Sequence, residues 1–393
     1  MGVTEERLVE NAENLTLQTE DAVMDTIEEI LELYVLCIND MEKTIRSFVA
    51  TYSREVNINN KVKTKDVLSY TETKRRLTDA ERKVFNTQLK DWYATVKEFG
   101  MDKTYQEYLQ ALGKRKYITR MEYLQAYLRH DIEMLFYKVE NKLYDKFSDI
   151  YTYSYYTSNY NLLQTLGIPG TMLELDEEDI KNAINGKYAN TSFKLSLAGN
   201  KTKLISEIET SIPQGFARGF NVNKLNDIVN IKTANSRNRN VALTRTETDY
   251  LCNKANLDQY KEFGVEKYQY LATLDMRTSD MCRDMDGYIG LVSQASQGVN
   301  FPPLHVNCRS TTIPYIENLQ NFGDRVAKTA KGKTFTVSRR MTQEQYIKKY
   351  VPKQYQNKLL QFKNSYRPKI KWIWGFNGVI VNYYTIFVYN NIR

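Results

Sequence analysis

Along the first 165 residues the apolar positions recur at steps of three and four. Val23, Ile27, Ile30, Leu31, Tyr34, Ile38, Met41, Ile45 and Phe48 make one stripe, which predicts a long amphipathic helix over about 19–51. Such a stripe has to be buried, against another helix or against a partner protein. A polar, Asn-rich break at 54–66 precedes a second helical region over 77–100, where Thr78 is placed as N-cap and Glu81 three residues on as a capping box requires. A third helix begins at 118. Thr119 and Glu122 repeat the capping relation, and Leu124, Leu128, Ile132, Leu135, Val139, Leu143, Phe147 and Ile150 form the stripe. His130 falls between these core positions, with only Glu133 or Met134 at helical spacing as further ligand types, and reads as a surface or core-edge histidine.

The pattern then loosens. The Tyr-rich stretch 151–171 ends in Gly167, Pro169 and Gly170, a turn signal, and short helices follow over 175–185 and 200–219. Residues 227–275 read as helix, helix and strand, with Gly264 as the stop of the second helix and 266–275 as the strand. Asp286-Gly287 reads as a hairpin turn between two short strands. The expected fold class is α+β, predominantly α: a long-helix N-terminal region followed by a small mixed α+β C-terminal domain. The expected division is 1–165 helical, 166–240 a helical connection, 241–320 the α+β domain, 321–371 a basic segment and 372–393 an aromatic tail. That tail is β-prone but interrupted by Gly375, Asn377, Gly378 and Asn382, and reads either as a hairpin docking on a partner or as a segment ordered only in an assembly.

At 393 residues and 42% hydrophobic composition the chain is globular rather than disordered. No window carries the roughly 18 consecutive apolar residues of a spanning helix, and the first residues are acidic and polar where a secretory signal is basic and then apolar. Neither export nor membrane insertion is therefore expected. Four scattered cysteines, Cys37, Cys252, Cys282 and Cys308, do not make a secreted disulfide framework and fit a reducing compartment. Charge is uneven. Between Asn321 and Lys371 fourteen Lys and Arg face two acidic residues, so that segment carries more positive charge than the whole chain, which is +8. Such a segment, with Arg339, Arg340, Lys348 and Lys349 at its centre, suits the phosphates of double-stranded DNA; the other reading is a solvated basic face.

The chemistry-bearing window runs from Arg245 to Ser310. Residues 302–310, "PPLHVNCRS", put His305 three positions before Cys308, a spacing that suits a metal, a nuclease centre or a tightly folded loop. Upstream lie an Arg-Thr-Glu helix and a run with Asp, Arg-Thr, Cys and Asp-Gly in order. Arg245, Thr246, Glu247, Asp275, Arg277, Thr278, Cys282, Asp286, Gly287, Pro302, Pro303, His305, Asn307, Cys308 and Arg309 together resemble the phage head-morphogenesis family of minor head proteins, the phage Mu protein F-like family. The resemblance implies a minor capsid protein of a tailed bacteriophage, acting in head assembly and in DNA packaging or ejection. It implies portal or major capsid protein as partner, packaged DNA contacted through its backbone, no membrane, and the phage head interior as location after assembly in the bacterial host cytoplasm.

The family pattern also implies cysteines where this chain has Ser279 and Ser310. A full set would close a thiolate-imidazole zinc site; here Cys282, His305 and Cys308 remain as candidate ligands, to be completed by water, Asp280 or Asp284. Without metal, hydrogen bonding and packing would hold the same loop. A Cys282–Cys308 disulfide is a further alternative, disfavoured in a cytoplasm. Arg245, Glu247, Asp275 and Arg277 read as structural charges that lock a small mixed domain. The expectation is a non-enzymatic chain. The competing reading is a metal-dependent DNA nuclease with His305 as general base, against which stands the lack of any histidine after residue 305.

Overall fold

The computed structural model describes residues 5–53, 55–58, 61–64, 67–166, 170–171, 174–188, 191–273, 277–316, 334–335, 342–365, 372–374 and 380–382. In chain order the elements are α1 (Glu5–Tyr52), β1 (Glu55–Ile58), β2 (Lys61–Thr64), α2 (Tyr70–Thr73), α3 (Asp79–Glu98), α4 (Lys103–Lys114), α5 (Arg120–Leu166) and β3 (Gly170–Thr171). There follow α6 (Glu177–Ile184), α7 (Phe193–Ala217), α8 (Val222–Glu262), β4 (Lys267–Leu271), α9 (Asp280–Met285), β5 (Ile289–Leu291) and β6 (Thr311–Tyr315). The last are β7 (Thr334–Phe335), α10 (Gln343–Tyr350), α11 (Lys353–Ser365), β8 (Trp372–Trp374) and β9 (Ile380–Asn382). The protein is thus predominantly helical, with long helices first and a mixed region late. Backbone contacts divide it into two compact units, residues 1–24, 147–183 and 248–393 in one, and 25–146 with 184–247 in the other.

The second of these units is a helical body. Ile27, Ile30, Tyr34, Met41, Ile45 and Phe48 of the predicted stripe are all buried on α1. The capping box of α3 forms as its sequence requires: Glu81 N–H donates to Thr78 Oγ1 and Thr78 N–H to the Glu81 carboxylate. Removing such a cap costs about 1 kcal/mol. Residues 54–66, read as a break, contain the antiparallel pair β1–β2. The helix α4, unpredicted, packs Tyr105, Leu109 and Leu112 against Phe85, Leu89 and Trp92 of α3. His130 sits at the edge of this cluster, its ring stacked 4.2 Å from Trp92 and Nδ1 2.8 Å from Tyr105 Oη. Burial pushes its pKa down to about 4, which makes it a neutral packing residue. Glu133, almost fully buried, is neutralised by Lys201 at 2.8 Å and Arg129 at 3.5 Å.

Two expected helix boundaries are corrected. The sequence suggested two helices over 227–264, whereas α8 is one helix of 41 residues. Its polar run stays helical because the buried side chains satisfy each other: Asn240 Nδ2 donates to Tyr34 Oη at 2.7 Å, Tyr34 Oη bonds Ser236 Oγ at 3.2 Å, and Asn200 donates to Asn240 at 2.6 Å. Likewise the stretch 151–166, expected to be loose, continues α5. There the tyrosines are buried amphipathic residues with partners, as in Tyr151 Oη donating to Asp258 at 2.8 Å and Tyr153 Oη to Gln18 at 2.6 Å.

The first unit holds the small sheet, ordered β5-β4-β6 and antiparallel throughout. Gly264, at φ +64°, ends α8 where sequence placed the stop, with Val265 N–H returning to Tyr260 O at 2.8 Å. The Asp286-Gly287 turn does not join two strands. Ser279 caps a short helix, α9, between β4 and β5, and the turn leads from that helix into β5, with Gly287 at φ +76°. Alternation along β4 buries Tyr268 and Tyr270 on one face. Tyr268 pairs across the sheet with Gly290, packs edge-on to Phe301 at 4.9 Å and donates to Asn300 O at 2.8 Å. A Cβ on Gly290 would meet the Tyr268 ring at 2.6 Å, so Gly290→Ala is expected to lose roughly 1–3 kcal/mol by overpacking. Urea unfolding of the full chain measures it; an unchanged midpoint would show that the ring has room to move.

Candidate functional site

Tyr270, the inward residue of β4, lies over a cluster made with Cys282, Leu304 and Cys308. Three segments build it. Ser279 starts α9 and presents Cys282 from its first turn, its Oγ accepting from Cys282 N–H at 3.2 Å. The loop after the cis Pro302-Pro303 bond presents His305, and a turn with Asn307 at φ +59° then brings Cys308 inward, its N–H donating to His305 O at 3.2 Å. Asparagine is among the residues that adopt this left-handed conformation most readily. Asn253 of α8 anchors the end of the loop: its Nδ2 donates to Ser310 O at 3.0 Å and to the Asp249 carboxylate at 3.1 Å.

The ligand-type atoms of Cys282, His305 and Cys308 all lie within 4.8 Å of one another. Cys282 Sγ is 3.8 Å from Cys308 Sγ and 3.1 Å from His305 Nε2. His305 Nδ1 is 2.8 Å from Val306 O, a contact that requires the proton on Nδ1 and leaves the Nε2 lone pair facing the sulfurs. Cys282 is a focus for donors. The Cys308 thiol, with the hydroxyls of Ser279, Ser310 and Tyr270, draws its pKa well below the usual thiol range, while Cys308, donating to it in a buried place, is pushed up. Tyr270 Oη is 3.3 Å from the same sulfur. Burial also pushes up the pKa of Asp249, beside Cys308.

These residues suit zinc in three of four positions. Zinc-thiolate bonds of about 2.3 Å at tetrahedral angles put two sulfurs about 3.8 Å apart, the separation observed here, and the imidazole would need to back away only by tenths of an ångström. The neutral tautomer and the donors to Cys282 are those a thiolate-imidazole set needs. The acids expected to complete it do not: Asp280 has a 93% exposed side chain paired with Arg283, Asp284 is exposed, and neither joins the cluster. Ser279 does reach it, with Oγ 2.8 Å from His305 Nε2.

Thr246 is buried and donates to Ala242 O at 2.8 Å; Arg245 and Arg277 are exposed; Asp275 lies outside the described residues. Thr278 Oγ1 donates to Thr273 O, and Thr278 O accepts from Arg283 at 2.7 Å. Asp286 accepts from Ala272 N–H at 2.9 Å, and Gly287 N–H donates to Tyr270 O at 2.9 Å, so this pair joins α9 to β4. Arg309 O accepts from Thr273 Oγ1 at 2.6 Å. Of the basic residues, Arg339 and Arg340 lie outside the described residues; Lys348 and Lys349 are exposed on α10, Lys348 2.7 Å from Glu344. Tyr270, Asn253 and Asp249 went unnoticed in the sequence. Tyr270 was signalled only by the alternation in β4, and Asn253 and Asp249 by nothing.

Glu247, in the helical unit, is 3% exposed, and burial pushes its pKa up to about 7. Between about pH 4.5 and 7 the folded chain keeps a proton that the unfolded chain releases, so this residue's contribution to stability falls as pH rises through that window and is level above it. Glu247→Gln is expected to remove that decline, leaving the variant roughly 2–3 kcal/mol more stable than the parent at pH 8 and nearly equal at pH 4.5. Urea melts at the two pH values check it, and parallel curves would contradict it.

Comparison with known proteins gives one family. Residues 206–313, covering the second half of α7, all of α8, β4, α9, β5, the Cys/His loop and the start of β6, match the family described as phage Mu protein F like protein. No curated protein and no solved structure matches the chain. Residues 206–313 are therefore similar to the phage Mu protein F like proteins, a family of phage head morphogenesis.

Proposed function

We propose that this chain is a minor capsid protein of a tailed bacteriophage, a virion component that binds the portal or the major capsid protein while the head is built. The observation that carries the reading is the family match over 206–313, on the segment whose loop and helix hold the motif residues together. The long helices supply extended surface for contact with portal or capsid, and among the described residues no helix is long and apolar enough to cross a membrane. In the same reading the head interior is its place, reached after assembly in the host cytoplasm. Zinc held by Cys282, His305 and Cys308 ties the loop to α9, as a structural ion rather than a catalytic one. The basic segment 321–371 meets packaged DNA through phosphates, without reading sequence.

The site favours this over the nuclease alternative. His305 Nε2 faces two thiols and a serine hydroxyl, and among the described residues no carboxylate groups with these three ligand atoms as a hydrated divalent ion would need. The chain is expected to co-sediment with portal or procapsid and to leave plasmid DNA uncut in magnesium or manganese. Metal-dependent nicking abolished by His305→Ala would overturn the reading. For the DNA interaction, replacing Arg339, Arg340, Lys348 and Lys349 by Ala is expected to weaken binding to any duplex alike. It should also flatten the dependence of log K on log salt by about 0.9 for each phosphate that the variant no longer neutralises. An unchanged slope would leave these residues as solvated surface.

A further inference from the structure

The three-ligand cluster leaves one tetrahedral position to be filled, and one side chain already stands at it. Ser279 Oγ lies 2.8 Å from His305 Nε2 and is hydrogen-bonded to the Cys282 side chain, so it touches two of the three ligand atoms. It cannot swing away freely. As the N-cap of α9, with φ −65° and ψ 153°, Ser279 is held by the Cys282 N–H that its oxygen accepts at 3.2 Å. The other oxygens nearby are otherwise engaged. Ser310 Oγ bonds Cys282 and Tyr270, and the Asp249 carboxylate, held through one oxygen by Asn253, lies beside Cys308 but outside the group of Cys282, His305 and Cys308 ligand atoms. Asp280 and Asp284 face solvent.

We propose that Ser279 Oγ is the fourth donor to the metal, making a site of two thiolates, one imidazole and one hydroxyl oxygen. The inference rests on the reading that Cys282, His305 and Cys308 bind a metal at all. Its consequence is a site weaker and more exchangeable than one closed by thiolates, because a neutral hydroxyl is a poorer donor to zinc than a thiolate. Metal occupancy would then follow the metal available, and a single oxygen-to-sulfur change would tighten the site.

Cobalt(II) tests this on the reduced, metal-stripped full chain, with zinc displacement to read affinity. The parent is expected to bind one cobalt with tetrahedral visible bands and the thiolate charge transfer of two sulfurs. Ser279→Cys is expected to add the charge transfer of a third sulfur and to bind zinc at least roughly tenfold more tightly; Ser279→Gly, which keeps most of the helix cap, to bind roughly tenfold more weakly. Equal affinity and equal spectra in parent, Ser279→Gly and Ser279→Cys would overturn the role of Ser279 while leaving the metal reading intact, water being the fourth ligand. A gain in Ser310→Cys but not in Ser279→Cys would also overturn it. No cobalt bound by either the parent or Ser279→Cys would overturn the metal reading and this inference together.

Discussion

Two buried thiols beside a half-buried imidazole must find their partners inside the protein, and the late part of the chain is arranged around that constraint. A polar group removed from water without a partner costs a few kcal/mol. Cys282 therefore gathers donors from β4, from the loop and from the start of its own helix: Tyr270, Cys308, Ser310 and Ser279. Each of those donors is fixed by something else. Tyr270 is fixed by strand alternation, Cys308 by the turn through Asn307, Ser310 by Asn253 of α8, and Ser279 by capping α9. Loosening any of them exposes or orphans the sulfur, which is how a loop of nine residues comes to depend on a strand and two helices.

The same economy of polar satisfaction explains the long helices. The run on α8 with Ser236, Asn240 and Thr244 would look like a helix boundary if those side chains competed with the backbone. Instead Ser236 and Asn240 are engaged by Tyr34 and Asn200 inside the helical unit, and Thr244 bonds back to Asn240 O at 2.7 Å, so the helix continues. In the unit that holds the sheet, Asn159 donates to Gln259 at 2.9 Å and accepts from Tyr346 at 2.5 Å, which fastens α10 to α5 and leaves Lys348 and Lys349 on the outer side. The buried tyrosines, such as Tyr34, Tyr105, Tyr151 and Tyr153, fill volume with a ring and meet a polar neighbour with a hydroxyl.

This division decides what was legible in the sequence. Periodicity and local hydrogen-bond chemistry were legible: the α1 stripe, the Thr78 and Thr119 capping relations, the Gly264 stop and a strand after it all recur in the structure. The order of motif residues also led to the family and to Cys282, His305 and Cys308 as neighbours. What was not legible depends on partners far away in the chain. Nothing local to 151–166 says that its tyrosines are buried, and nothing local to Asn253 says that it holds residue 310. Sequence offers water, Asp280 or Asp284 for the fourth position, yet Asp280 and Asp284 lie on the exposed side of α9, away from the cluster. Ser279, which stands where the family pattern implies a cysteine, caps α9 with its oxygen 2.8 Å from His305 Nε2, a contact that its position in the sequence does not show.

The segment that is similar to the phage Mu protein F like proteins also carries the Cys/His cluster, whose loop is braced by β4, α8 and α9. The most direct measurement of that account is the zinc content, by elemental analysis, of the full chain purified under reducing conditions, beside Cys308→Ser. The account predicts about one zinc per chain in the parent and a loss of it in the variant. A folded parent free of zinc would contradict it, and would mean that the hydrogen bonds to Cys282 hold the loop by themselves.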